Sequence, residues 1–130
     1  MTKATLILSA AVVALAACAM AAQAAEPPAN ISVTFGNTVI SVYPDGRSQK
    51  IWLQPDGTWT GLSRRGNPLA GKWTVKGDKV CLRQTRPPTL PISFCQVLPS
   101  DPQTGVDAKD LLGTRIHIKL VKGHVETNAG

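Results

Sequence analysis

Gln49-Lys50-Ile51-Trp52-Leu53-Gln54-Pro55-Asp56-Gly57-Thr58-Trp59-Thr60-Gly61-Leu62-Ser63 is the stretch whose reading decides the fold. Pro55 presets φ at the first central position of a tight turn, Asp56 accepts hydrogen bonds from the turn backbone, and Gly57 takes the left-handed conformation of a bulge. The turn sets Leu53 opposite Trp59 and divides its flanks into two antiparallel strands. The same Pro-Asp-Gly stands at Pro44-Asp45-Gly46, eleven residues earlier, so consecutive hairpins of similar length begin a meander. The echo is local and too short for a solenoid repeat.

Working outward, alternation bounded by turn chemistry predicts strands over residues 31–35, 38–43, 49–54, 58–63, 69–76, 79–85, 92–98 and 114–122. Residues 99–113 read as a loop, with one helical turn over residues 107–112. The last strand alternates Ile116, Ile118 and Leu120 inward with Arg115, His117 and Lys119 outward. The fold class is therefore all-β: a small antiparallel meander of seven or eight strands, barrel-like, with a two-sheet sandwich as the alternative. Length and composition agree. The chain has 130 residues, 43% hydrophobic and 17% charged, which excludes multidomain enzymes and large barrels, while 10 Pro and 11 Gly interrupt it too often for long helices.

The first 24 residues have the form of an export signal. Lys3 is the positive n-region, Thr5 to Ala17 the apolar core, and Ala22-Gln23-Ala24 the small-x-small cleavage pattern. A second route overlaps it: Leu15-Ala16-Ala17-Cys18 resembles the bacterial lipobox, in which Cys18 is acylated and becomes the first mature residue. Both routes stay open, giving a periplasmic or secreted protein in one case and an outer-membrane-anchored lipoprotein in the other. In the first, residues 25–30 form a Pro/Ala-rich linker, 31–125 a single β domain and 126–130 a tail. Membrane contact is expected only through the lipid anchor.

Of three cysteines, either route removes Cys18 from the free thiols and leaves Cys81 and Cys95, which should pair in an oxidising compartment. Strand register supports this. A hairpin that faces Cys81 with Cys95 also pairs Leu82 with Phe94 and Val80 with Gln96, putting the apolar pair on one face and both cysteines on the other. The Arg86-Pro87-Pro88-Thr89-Leu90-Pro91 segment lacks backbone donors at its prolines and should protrude stiffly from this hairpin.

Charge is unevenly distributed. Arg64, Arg65, Lys72, Lys76, Lys79, Arg83 and Arg86 face a single acid, Asp78, between residues 64 and 86, within a chain of net charge +6. Alternation puts Lys72 and Lys76 on the side of their strand away from Trp73, and Lys79 and Arg83 on the Cys81 side. Lys72, Lys76, Lys79 and Arg83 are thus the candidate face for an anionic partner such as envelope lipid or glycan, set against the ordinary reading of a solvated sheet surface. Nucleic acid is not an expected partner of an exported chain.

The stretch Gly71-Lys72-Trp73-Thr74-Val75-Lys76-Gly77-Asp78-Lys79-Val80-Cys81-Leu82, with Gly-x-Trp ahead of a disulfide cysteine, resembles small exported bacterial β-proteins. More distantly it is similar to the barrel inhibitors of secreted metalloproteases. The resemblance implies a barrel and an inhibitory or binding role toward an exported hydrolase. Read from packing alone, Gly71 relieves crowding where Trp73 crosses a barrel end.

No catalytic, cofactor or metal motif is present. His117 and His124 are too few for a metal site, the serines lack a nucleophile-elbow context, and Asp45 and Asp56 are explained by their turns. Trp52 falls on the face opposite Leu53 and Trp59 and is expected to pack under the N-terminal segment, the alternative being an exposed aromatic for a ligand. The expectation is a non-catalytic exported envelope or binding protein with no cofactor, the alternative being an inhibitor of an exported hydrolase or protease.

Overall fold

The structure, a computed structural model, describes residues 29–126. Four of its hairpin loops use one device. In 43–47, 54–58, 63–67 and 110–114 the first residue's N–H donates to the fifth residue's carbonyl at 2.8–2.9 Å, and a glycine in fourth place donates back to the first residue's carbonyl at 2.9–3.2 Å. Those glycines, Gly46, Gly57, Gly66 and Gly113, have φ of 82–88°, which explains why no other residue type closes these loops.

The loops join eight strands: β1 (Thr38–Val42), β2 (Ser48–Leu53), β3 (Thr58–Leu62), β4 (Pro68–Lys76), β5 (Lys79–Arg86), β6 (Ser93–Gln96), β7 (Val106–Lys109) and β8 (Arg115–Val121). All pairings are antiparallel, in the order β6-β5-β4-β3-β2-β1-β8-β7. β8 returns to pair with β1, curling the sheet into a nearly closed barrel whose seam lies between β6 and β7. Inward alternation fills it with Val39, Ile51, Leu53, Trp59, Val80, Leu82, Ile116, Ile118 and Leu120.

The β5–β6 register is the one the cysteines required. Cys81 faces Cys95, Val80 faces Gln96 and Leu82 faces Phe94, and the disulfide is formed with Cα atoms 3.9 Å apart. The strand expected at 92–98 is shortened to Ser93–Gln96, because Pro91 has no donor and the Ile92 N–H turns back to the Leu90 carbonyl at 2.7 Å.

Two expectations are corrected. Residues 31–35 are not a strand: a helical turn, α1 (Ala29–Ser32), begins within the stretch expected as linker. The Thr34 hydroxyl and N–H both donate to the Ile31 carbonyl, at 2.6 and 3.1 Å. Ile31 and Phe35, four residues apart, then turn toward the core while Val33 is exposed, a helical rather than a period-two spacing. The second correction falls at 107–112, where no helical turn exists. Val106 and Ala108 are half-buried and Asp107 and Lys109 exposed in β7, and the Asp110 carboxylate accepts from Leu112 and Thr114 N–H at 2.9 and 2.8 Å to make the fourth hairpin loop.

The two barrel ends differ. At one, Ile31 enters the core, the Phe35 ring packs tilted against Trp73 with ring centroids 5.9 Å apart, and the Trp73 indole donates to the Gln54 carbonyl at 2.8 Å, so aromatic packing stoppers it. Trp73 thus crosses a barrel end as expected. The space Gly71 leaves is taken by Trp59 instead, since a Cβ at Gly71 would stand 2.6 Å from the Trp59 indole. At the opposite end lie loops 43–47, 63–67, 87–92 and 110–114.

Candidate functional site

That second end is open. Toward it the inward positions change from large apolar to polar or small: Ser41 of β1 faces Gln49 of β2, and Gln84 follows Leu82 on β5. The core therefore stops short and leaves a cavity of about 500 Å³. Its floor is Ile51, Trp59, Leu82, Phe94 and Ile116; its polar band is Ser41, Gln49, Gln84, Tyr43 and Asp110; its lips are Thr89, Leu90 and Ile92 on one side and Leu111 and Leu112 on the other. An apolar floor with a few convergent polar groups, within about 300–1,000 Å³, is the usual form of a small-molecule site.

The polar band is held in place. The Gln84 amide donates to the Pro87 carbonyl at 2.8 Å, tying β5 to the proline-rich loop, and the Arg86–Pro87 peptide is cis. Tyr43 is clamped between opposite charges, with the Arg64 guanidinium 4.0 Å over its ring. Burial raises the Tyr43 pKa above its ordinary value of 10.0, the Asp110 charge raises it further, and Arg64 opposes both. The phenol therefore enters any neutral-pH ligand complex as an uncharged hydroxyl.

Lys72, Lys76, Lys79 and Arg83 lie away from this mouth. All four are exposed on the outer face of β4 and β5, with Lys72 opposite Arg83 and Lys76 opposite Lys79, around the disulfide. Cys18 lies outside the described residues. Trp52 is buried on the outer face, but under the C-terminal segment: its ring stacks on His124 at 4.0 Å and its N–H donates to the Thr38 hydroxyl at 2.8 Å. The Thr38 hydroxyl in turn donates to the Gly123 carbonyl at 2.7 Å and accepts from Val125 N–H at 2.9 Å. His117 contacts Asp107 at 2.8 Å in a groove on the outer side of β7 and β8, and His124 contacts Glu126 at 3.0 Å. Asp45 and Asp56 serve their turns, accepting from Arg47 N–H at 2.9 Å and from Thr58 N–H and hydroxyl at 3.0 and 2.6 Å.

Sequence reading missed the mouth itself. Its one local signal was Leu111-Leu112, two large apolar residues at the centre of a turn, which resemble a fragment of amphipathic helix until β7 is known to pair with β8. The disulfide is consistent with an oxidising compartment. No protein-family model matches the chain, and no curated protein or solved structure matches it.

Proposed function

We propose that this chain is a non-catalytic exported binding protein whose ligand is a small amphipathic molecule held in the barrel mouth. The observation that carries the reading is the cavity of about 500 Å³, apolar at its floor and polar in a band above it. Such a site suits an apolar body inserted toward Trp59 and Phe94, with a hydroxyl, carbonyl or amide meeting Gln49, Gln84 and Tyr43. The test is titration with an environment-sensitive apolar fluorophore, competed by short-chain amphiphiles. Binding should be lost in Ser41→Phe, which fills the mouth, and kept in Lys79→Glu, which lies outside it. Equal binding by wild type and Ser41→Phe would overturn the reading.

A second reading concerns the outer face of β4 and β5. Lys72 opposite Arg83 and Lys76 opposite Lys79 are like charges directly across a ladder, an arrangement that destabilises a sheet. A surface that keeps such a cost is suited to anionic glycan or phosphate groups, which would relieve the repulsion on binding. Binding to a sulfated or phosphorylated polysaccharide at low salt should fall when two of these cations are reversed; unchanged binding removes this reading and leaves the first standing.

A further inference from the structure

We infer that the open end of the barrel is a membrane-docking surface, in which the lips of the mouth enter the interfacial layer of an anionic bilayer while a ring of cations engages its headgroups. The first observation is where exposed apolar side chains lie. Among the described residues, Leu90, Ile92, Leu111 and Leu112 are 73, 50, 61 and 89% exposed, and all four stand on the two loops that overhang the open end. At the stoppered end the large exposed apolar residues are Val33 and Val75, at 37 and 36%.

The second observation is internal to the fold. Four hairpin loops share one hydrogen-bond pattern, and their two central positions are Pro44-Asp45, Pro55-Asp56, Arg64-Arg65 and Leu111-Leu112. Nothing in the turn asks for leucine: the loop at 110–114 is made by Asp110 and Gly113, as its relatives are by a cap and a glycine. Water favours charge at such tips, and each of the other three carries at least one charged residue there. Two adjacent leucines there are fitted to a medium that solvates them.

The third observation, charge, decides which medium. Arg47, Arg64, Arg65, Arg86, Lys109 and Arg115 all sit at strand ends or loops of the open end, against the carboxylates Asp45, Asp107 and Asp110. The opposite end has Asp56, Asp78, Asp101 and Glu126 against Lys76, Lys79 and Lys122. The molecule is polar end to end, with its apolar tips at the positive end. Apolar side chains that bury about 5–10 Å into the headgroup boundary, rimmed by cations attracted to an anionic leaflet, are the two components of interfacial binding. A second copy of this chain would bring the same positive rim against itself, so charge disfavours self-association there. This contact would add to any lipid on Cys18, and it does not require the cavity to be filled.

The test uses the exported protein carrying Cys18→Ser, so that no acyl chain contributes, and co-sedimentation with vesicles of phosphatidylglycerol and phosphatidylcholine against pure phosphatidylcholine. Binding to the anionic vesicles is expected, weakening as salt shortens the Debye length from about 10 Å at 0.1 M to about 3 Å at 1 M. Leu111→Asp with Leu112→Asp should weaken it at least about tenfold, and so should Arg65→Glu with Arg86→Glu, whose side chains are outside the cavity lining. Unchanged circular dichroism and fluorophore binding in the arginine pair would separate this surface from the ligand site. A tryptophan at position 112, made as Leu112→Trp, should shift its emission to the blue on the anionic vesicles. No binding at low salt, binding indifferent to both double variants, or a dimer that dissociates in the leucine pair would each overturn the proposal.

Discussion

The indole N–H of Trp59 donates to the Lys72 carbonyl at 3.1 Å by lying flat across Gly71, the residue directly opposite it on β4. The ring occupies the volume where a side chain at 71 would stand, and a Cβ there would also overlap the Arg83 carbonyl beside the bulge between Ala70 and Gly71. Trp59 is 3% exposed and forms part of the floor of the mouth, so this contact contributes to the depth of the cavity. Gly71→Ala should destabilise the protein by at least about 2 kcal/mol, as overpacking of a core does. Trp59→Phe should restore only part of that loss, because the overlap with Arg83 backbone remains. Thermal denaturation of the two single variants and the double variant measures both.

Cys81 and Cys95 stand 14 positions apart in sequence and close the loop between them. Replacing both with serine should cost about 3 kcal/mol by loop entropy. The loss should appear in urea unfolding of the double variant, while the β signal of the folded state is retained. Recovery of free thiols at both positions from the native compartment would contradict the pairing.

Tyr43 is the chain's one tyrosine, so its titration can be read without assignment. Its pKa is raised above 10.0 by burial first and by Asp110 second. A folded-state value above the unfolded one means that the stability Tyr43 contributes is fully present below pH 10 and is lost as pH rises through the raised value. Tyrosinate absorbance should therefore emerge at higher pH in the folded protein than in urea. Asp110→Asn, which keeps an oxygen for the turn, should move the midpoint down; Arg64→Gln should move it up.

Asp56 and Asp101 have lowered pKa values for a local reason. Asp56 is held chiefly by the Thr58 hydroxyl and N–H, and Asp101 by the N–H groups of Thr104 and Gln103. Their contribution is present above the ordinary carboxylate value of 3.8 and is lost as pH falls through the lowered one. Asp56→Asn with Asp101→Asn should flatten the acid limb of the stability curve. An acid limb identical to wild type would show that these turns do not sense protonation.

The like-charged pairs on β4 and β5 make a prediction that a purely solubilising face does not. Lys76→Glu, which places opposite charges across the ladder at Lys79, should raise stability by about 0.2–1 kcal/mol while weakening binding to a polyanion. Gain in stability without loss of binding would leave the cluster as a solvated surface.

Period-two alternation, the Pro-Asp-Gly turns and the pair Cys81 and Cys95 determine most of the strands, the meander and the β5–β6 register, because each is a rule about neighbours in sequence or about one pair of facing residues. The same locality is why α1 and β7 escaped. Ile31-Ser32-Val33-Thr34-Phe35 satisfies a strand period and a helical one, and only the core's demand for Ile31 and Phe35 together, with the Thr34 hydroxyl on the Ile31 carbonyl, selects between them. Val106–Lys109 is too short to announce itself and becomes a strand because β8 offers it an edge.

The candidate site belongs wholly to the tertiary level. Ser41, Gln49, Gln84 and Asp110 are unremarkable polar residues until the return of β8 to β1 closes the sheet and gathers them at one end. Which end stays open depends on volume: the Trp59 ring, admitted by Gly71, and the stopper of Ile31, Phe35 and Trp73 fill one half of the barrel, whereas the inward positions of the other half are taken by Ser41, Gln49 and Gln84, which leave it unfilled. Strand period and turn chemistry act over a few residues and so can be read along the chain. The shape of an unfilled space is the sum of side chains from many strands, and it exists only once the barrel has closed.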